Sequence, residues 1–217
     1  YDEASNIYYI TGVRNGYYIG SEYMPFVYNN IPVNGSAYIL ALSGTTYQEL
    51  WRHEGTTNAP NSEQISIDDI QIDNQSHVYI SGRYSNHPEY PGVYLGTHQI
   101  SNNAVFGESV YVAKLNNQGQ FLWSKTPTST MIPNTTTVGA SVKGITFNGD
   151  QVIIAGAGQV ENWGNGLNID KPFGHRIDPY LLFLNKQTGN AEGLTHVLGQ
   201  FGIENGFTKV VTDNDGN

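Results

Sequence analysis

The sequence predicts an all-β chain built from repeats of one four-stranded unit. Three observations carry that reading. Short β-branched and aromatic segments of strand length recur along the chain. Stretches rich in Gly, Asn and Asp, with tight-turn chemistry, separate them. The same segments return roughly every 70 residues, the signature of a repeat architecture. Composition agrees: of 217 residues 38% are hydrophobic and 12% aromatic but only 13% charged, and there are 25 Gly and 23 Asn. Asn and Gly favour turns over helix interiors.

The repeat is legible in two registers. Ala37–Leu42, Val110–Leu115 and Tyr180–Leu184 align on Tyr38, Tyr111 and Tyr180. Ile7–Gly12, Val78–Gly82 and Val152–Gly156 align on Gly12, Gly82 and Gly156. Each unit then holds four segments, here shown for the middle one: a (Ile67–Asp73), b (Val78–Ser81), c (Val110–Leu115) and d (Gln120–Lys125). Asp73-Asn-Gln-Ser76 and Asn148-Gly-Asp150 read as a–b turns, and Asn116-Asn-Gln-Gly119 and Lys186-Gln-Thr-Gly189 as c–d hairpins. The whole chain, 1–217, reads as one domain with repeats at about 2–72, 73–147 and 148–212 and a fourth begun at 213.

Four antiparallel strands repeated head to tail are the blades of a β-propeller, and about three are present. Three blades do not close a ring, and an open arc leaves raw sheet edges. The expectation is a larger ring, completed by further blades of a parent chain or by a second copy. In it Phe207–Thr212, a strand a, pairs antiparallel with a strand like Ile7–Thr11.

The string Val110-Tyr-Val-Ala-Lys-Leu-Asn-Asn-Gln-Gly-Gln-Phe-Leu-Trp-Ser-Lys125, continuing to Gly144-Ile-Thr-Phe-Asn-Gly-Asp-Gln-Val-Ile-Ile-Ala-Gly156, resembles the bacterial seven-bladed β-propeller (SBBP) repeat. The third unit departs from the pattern: Leu194 or a neighbour stands where Trp51 and Trp123 recur, and Asn148 replaces the Asp of the a–b turn. The resemblance implies a propeller fold in a secreted or cell-surface protein and supplies no catalytic residues.

The net charge of −9 argues against nucleic acid and anionic membrane surfaces as partners. No 18-residue apolar run exists to insert into a membrane, and the absence of Cys excludes thiolate and disulfide chemistry. Gly107-Glu-Ser-Val-Tyr111 lacks the second Gly of a nucleophile elbow, and His53-Glu54 lacks the downstream His of a zincin helix. Trp51 and Trp123 repeat at one structural position, which argues for packing between blades. Asp68 and Asp69 lie on strand a, expected to line the ring's channel.

The a–b and c–d connections are short, whereas the b–c stretches (13–36, 83–109, 157–178) and d–a stretches (53–64, 126–140, 197–206) are long. In a meander these long stretches leave from one face, and long loops on a rigid scaffold carry function. Their aromatic and amide content suits sugar stacking and hydroxyl recognition. The candidate ligand-binding residues are Tyr84, His87, Tyr90, Tyr94 and His98 in the second b–c loop, and Trp163, Asn165, Phe173 and His175 in the third. The competing reading is that these aromatics fold down as small loop cores. Asp213 and Asp215 have the alternation of a calcium loop and are candidate calcium ligands, against an ordinary turn at the same place. The sequence thus points to a non-enzymatic binding or adhesion module of a secreted or surface bacterial protein, taking a glycan or protein ligand on the long-loop face. The alternative is a hydrolase or lyase with its active site at the centre of that face.

Overall fold

A computed structural model of the chain describes residues 1–13, 17–19, 22–24, 26–58, 65–86, 89, 91–101, 107–128, 140–170, 177–196 and 206–213. Among them there is no helix. The first repeat contains β1 (Ile7–Val13), the small strands β2 (Tyr17–Ile19), β3 (Glu22–Met24), β4 (Val27–Tyr28) and β5 (Ile31–Pro32), then β6 (Ala37–Ser43) and β7 (Glu49–Thr57). The second contains β8 (Asp69–Ile72), β9 (Val78–Asn86), β10 (Val93–Leu95), β11 (His98–Ser101), β12 (Gly107–Leu115) and β13 (Phe121–Lys125). The third contains β14 (Ser141–Asn148), β15 (Gln151–Gly158), β16 (Val160–Asn162), β17 (Asn168–Asp170), β18 (Asp178–Asn185) and β19 (Ala191–His196).

The chain is all-β, with every pairing antiparallel. The second repeat forms the meander β8-β9-β12-β13 and the third β14-β15-β18-β19, the a-b-c-d order that the sequence expects. In the first, β1, β6 and β7 supply b, c and d. Several strands outrun their sequence boundaries: b extends to Asn86 and c starts at Gly107, so the second b–c connection is shorter than its hydrophobic pattern suggested.

The middle meander is buried on both faces, which explains its nearly continuous apolar strands. Alternate residues point to opposite sides. Ile80, Tyr111, Ala113 and Leu115 join Ile39, Ile65 and Leu95 in a core shared with the first sheet. Tyr79, Val110, Val112 and Trp123 join Ile154, Tyr180, Leu182 and Leu184 in a core shared with the third. Of the residues expected in this meander, Val78, Ile80, Val112 and Leu115 are buried, whereas Ile70 and Ile72 on β8 are only half-buried.

The glycine that marks strand b lies directly opposite the tyrosine that marks strand c in every repeat: Gly12↔Tyr38, Gly82↔Tyr111 and Gly156↔Tyr180. A Cβ on Gly12 or Gly156 would overlap the facing tyrosine ring, so the ring lies across bare backbone. The two periodic signals in the sequence are therefore two halves of one cross-strand contact.

The long b–c stretches are not structureless. In the second repeat the β10–β11 hairpin reaches back and adds to the outer edge of β7, pairing Val93 with Thr57 and Leu95 with Gly55. In the third, β16–β17 reaches back to the segment after β13, where Thr128 and Asn162 exchange both backbone bonds (2.8 and 3.0 Å). In the first, Phe26 stacks on Tyr38 and the Tyr28 hydroxyl donates to the carbonyl of Tyr47 in the c–d turn. These connections leave from one end of the sheets but fold down along them, which protects edges that would otherwise be bare.

The expected strand at Phe207–Thr212 forms no ladder. It lies beside β14, with the Thr212 hydroxyl 2.9 Å from Thr146 Oγ1 and 3.0 Å from the Phe147 carbonyl. A strand a bonds along its length only to its own strand b, and no described strand forms a backbone ladder with this segment. At the other edge, Asp2 and Ile7 exchange backbone bonds of 2.9 and 3.1 Å, so the Ile7 end of β1 is already paired. The full antiparallel register expected between Phe207–Thr212 and an Ile7–Thr11 strand is thus not open along all of β1.

Candidate functional site

The strand ends from which the long connections depart enclose a cleft of about 200 Å³ between the first and second sheets. Val13 ends β1, Ser36 precedes β6, Ser85 lies at the far end of β9 and Glu108 at the start of β12; all line it. Its wall continues through Ile65, Ser66, Arg83 and Tyr84. The β9 ladder positions the key side chains, since Arg83 pairs with Val110 and Tyr84 with Ser109.

Arg83 Nε donates to Asp68 Oδ2 at 3.2 Å across the strand a–strand b junction. The Arg83 side chain is 45% exposed and that of Asp68 23%, so the pair is partly solvated and holds geometry more than it adds stability. Ser66 Oγ accepts the Arg83 amide at 3.2 Å. Ser36 Oγ donates to the carbonyls of Gly55 and Ile65 at 3.4 and 3.3 Å. Tyr84 is buried, and its hydroxyl has no hydrogen-bond partner. The cleft therefore presents the Arg83 guanidinium, bonded to Asp68, with serine hydroxyls, the exposed Glu108 and one aromatic wall.

Of the described residues singled out in the sequence, Tyr84 alone lines this cleft. Tyr94, on β10, and His98, on β11, sit at the outer edge of the first sheet instead. The His98 ring stacks on Phe121 (centroids 4.1 Å apart, planes at 7°), and its Nε2 lies 2.8 Å from Ser124 Oγ. Trp163 is buried in the third-repeat connection, where its Nε1 donates to Glu161 Oε2 at 2.9 Å. Asn165 donates to the Ala191 carbonyl at 2.8 Å from a left-handed backbone, φ 54°. His98, Trp163 and Asn165 are thus each engaged with other protein groups, whereas the Tyr94 hydroxyl meets only Gln99 of its own hairpin among the described residues. His87, Tyr90, Phe173, His175 and Asp215 lie outside the described residues.

Asp213 is described and exposed; the equivalent Asp73 shows what an acid at that position does. Asp73 Oδ1 accepts the amides of Gln75 and His77 at 2.9 and 3.0 Å, while Oδ2 lies 3.1 Å from the donating Tyr79 hydroxyl and 3.2 Å from His77 Nδ1. Burial alone would raise its pKa, but these donors outweigh burial and hold it below the usual carboxylate value. Among the described residues no three His, Asp or Glu side chains group as a metal site. Asp69 Oδ2 accepts the Ile145 amide of the neighbouring sheet at 2.7 Å.

Sequence reasoning passed over Arg83 and Glu108, although both were visible as charges bracketing the second b–c stretch in a chain with few charges. What the sequence lacked was the true length of β9 and β12, which carries both residues to the cleft mouth.

No protein-family model matches the chain, and no curated protein matches it in sequence.

Proposed function

We propose that the three meanders are consecutive blades of a propeller of the SBBP-repeat type, and that the chain is a non-enzymatic binding or adhesion module of a secreted or surface bacterial protein. The observation that carries the functional half is the cleft at the strand ends of the first and second sheets, where their long b–c connections begin and end. The blade reading is supported by the common a-b-c-d order and by sheets that stack face to face on shared cores. The secreted or surface setting rests on the resemblance of Val110–Lys125 to that repeat.

The cleft chemistry favours binding over catalysis. Hydrolysis or elimination of a glycoside needs two converging carboxyls or a comparable acid–base pair. Here the Asp68 carboxylate is engaged by Arg83, which leaves Glu108 on its own at the mouth.

Site-selective blocking tests the face. The chain has no Cys, so Glu108→Cys on the long-connection face and Gln118→Cys in the c–d turn can each be coupled to a bulky polyethylene glycol maleimide. Binding to a glycan array or to bacterial cells is expected to vanish on coupling at 108 and to survive coupling at 118. Equal loss at both positions, or at neither, overturns the assignment of the ligand to this face.

A further inference from the structure

We infer that the cleft between the first and second sheets is a subsite for one neutral hexose residue, with Arg83, oriented by Asp68, donating to a ring hydroxyl. This rests on the binding-module reading and adds to it a ligand class and a place.

Size narrows the ligand first. Sites for drug-sized molecules run from roughly 300 to 1,000 Å³, so a cleft of about 200 Å³ takes a single small ring, with the rest of any chain lying outside. Polarity narrows it further. Ser66 and Ser85 are hydroxyl groups that both donate and accept, the functionality that matches another hydroxyl. Val13, 47% exposed at the rim, and the Tyr84 wall supply apolar contact for ring C–H groups.

Charge decides between sugar classes. Arg83 is neutralised by Asp68 at 3.2 Å, and Glu108 adds a negative charge at the mouth. The cleft thus has no cationic surplus for a uronate, sulfate or phosphate, and the chain's −9 reinforces that. A guanidinium whose charge is balanced by a carboxylate still offers N–H donors, which suit the neutral hydroxyls of a sugar.

Heteronuclear NMR titration of the chain with methyl α-mannoside, methyl β-glucoside, methyl β-galactoside and sodium glucuronate tests the assignment. At least one neutral hexoside should shift the amides of Ser36, Ser66 and Ser85, with glucuronate binding about tenfold or more weakly. Arg83→Met, which keeps the aliphatic stem, should weaken that hexoside about tenfold, and Ser85→Val, on a half-buried hydroxyl, should weaken it without unfolding the chain. Tighter binding of glucuronate, shifts confined to another region, or full affinity in both variants overturns the subsite. A glycan that is blocked by coupling at 108 yet indifferent to Arg83→Met leaves the binding face standing and removes only the cleft assignment. If wild-type protein shifts with none of the four sugars, the hexose subsite is wrong, whatever the blocking assay shows for the face.

Discussion

Trp51 Nε1 donates to the carbonyl of Asn117 at 2.9 Å, tying the last strand of the first repeat to the c–d turn of the second. Trp123 repeats the arrangement one unit later, donating to the Lys186 carbonyl at 3.3 Å. In both joints the indole lies over the turn glycine, Gly119 or Gly189, whose φ of 80° or 69° lies in the left-handed region. Each tryptophan is thus the peg between sheets, and its turn is the socket.

Removing the peg should loosen the joint. Trp123 is 9% exposed and packs edge-on against Tyr79. Trp123→Ala is expected to cost about 3–5 kcal/mol, as for other large core truncations. Trp123→Phe, which keeps much of the ring and loses the donor, should cost about 1–2 kcal/mol. Urea unfolding of the two variants checks the order; equal midpoints to wild type would show that the joint does not rest on this residue.

The Gly–Tyr pairs make a graded prediction. Tyr180 is fully buried, and Tyr111 is likewise enclosed, with its hydroxyl donating to the Ser66 carbonyl at 2.9 Å. Tyr38 is only half-buried, so its ring can give way at less cost. Gly156→Ala and Gly82→Ala should therefore destabilise by about 1–3 kcal/mol, the usual range for overpacking, and Gly12→Ala by clearly less. Thermal melts of the three variants rank them; a Gly12→Ala loss equal to the others would contradict the account.

These contacts mark what the sequence reveals and what it hides. Strand order and the repeat were legible because Gly12, Gly82 and Gly156 recur opposite Tyr38, Tyr111 and Tyr180, and local pattern reports local pairing. The packing role of Trp51 and Trp123 was legible for the same reason. The backward reach of β10–β11 to β7 was not, since Val93-Tyr-Leu95 is too short to show a period and its partner lies in another repeat. The cleft was hidden too: its residues come from four strand ends, and only the fold brings Val13, Ser36 and Arg83 to one place.

His53 and His98 should make the joint between the first two sheets acid-sensitive. His53 Nε2 lies 2.7 Å from the Gly119 carbonyl, so this nitrogen carries the proton and donates. Burial lowers the pKa of His53, against the opposing pull of that carbonyl, and burial together with His53 lowers that of His98. A histidine with a depressed folded pKa contributes stability that is complete above its unfolded value, about 6.5, and is lost as pH falls through the folded value. Stability should drop as pH falls below about 6.5, and the double variant His53→Gln/His98→Gln should flatten that part of the profile. Parallel profiles for variant and wild type in urea melts would rule the two histidines out.

Glu161 should act in the opposite sense. Its side chain is buried, with Oε2 bonded to Trp163 Nε1 and Oε1 without a partner, beside the unpartnered hydroxyl of Tyr180. Burial pushes its pKa up to about 7, against smaller opposing effects of Trp163 and Tyr180. The folded chain therefore holds this proton more tightly than the unfolded chain does. Stability from this group is complete below about pH 4.5, falls as pH rises toward 7, and is level above that. The shift corresponds to roughly 3 kcal/mol across that window. Because Glu161 lies on β16, in a hairpin bonded to Thr128, the loss should appear first as faster amide exchange at Asn162 and Thr128. Glu161→Gln, which mimics the protonated acid, should be more stable than wild type at pH 8 and no more stable at pH 4.5. If the difference between the two proteins in urea midpoint is the same at both pH values, the proton on Glu161 does not contribute to the fold.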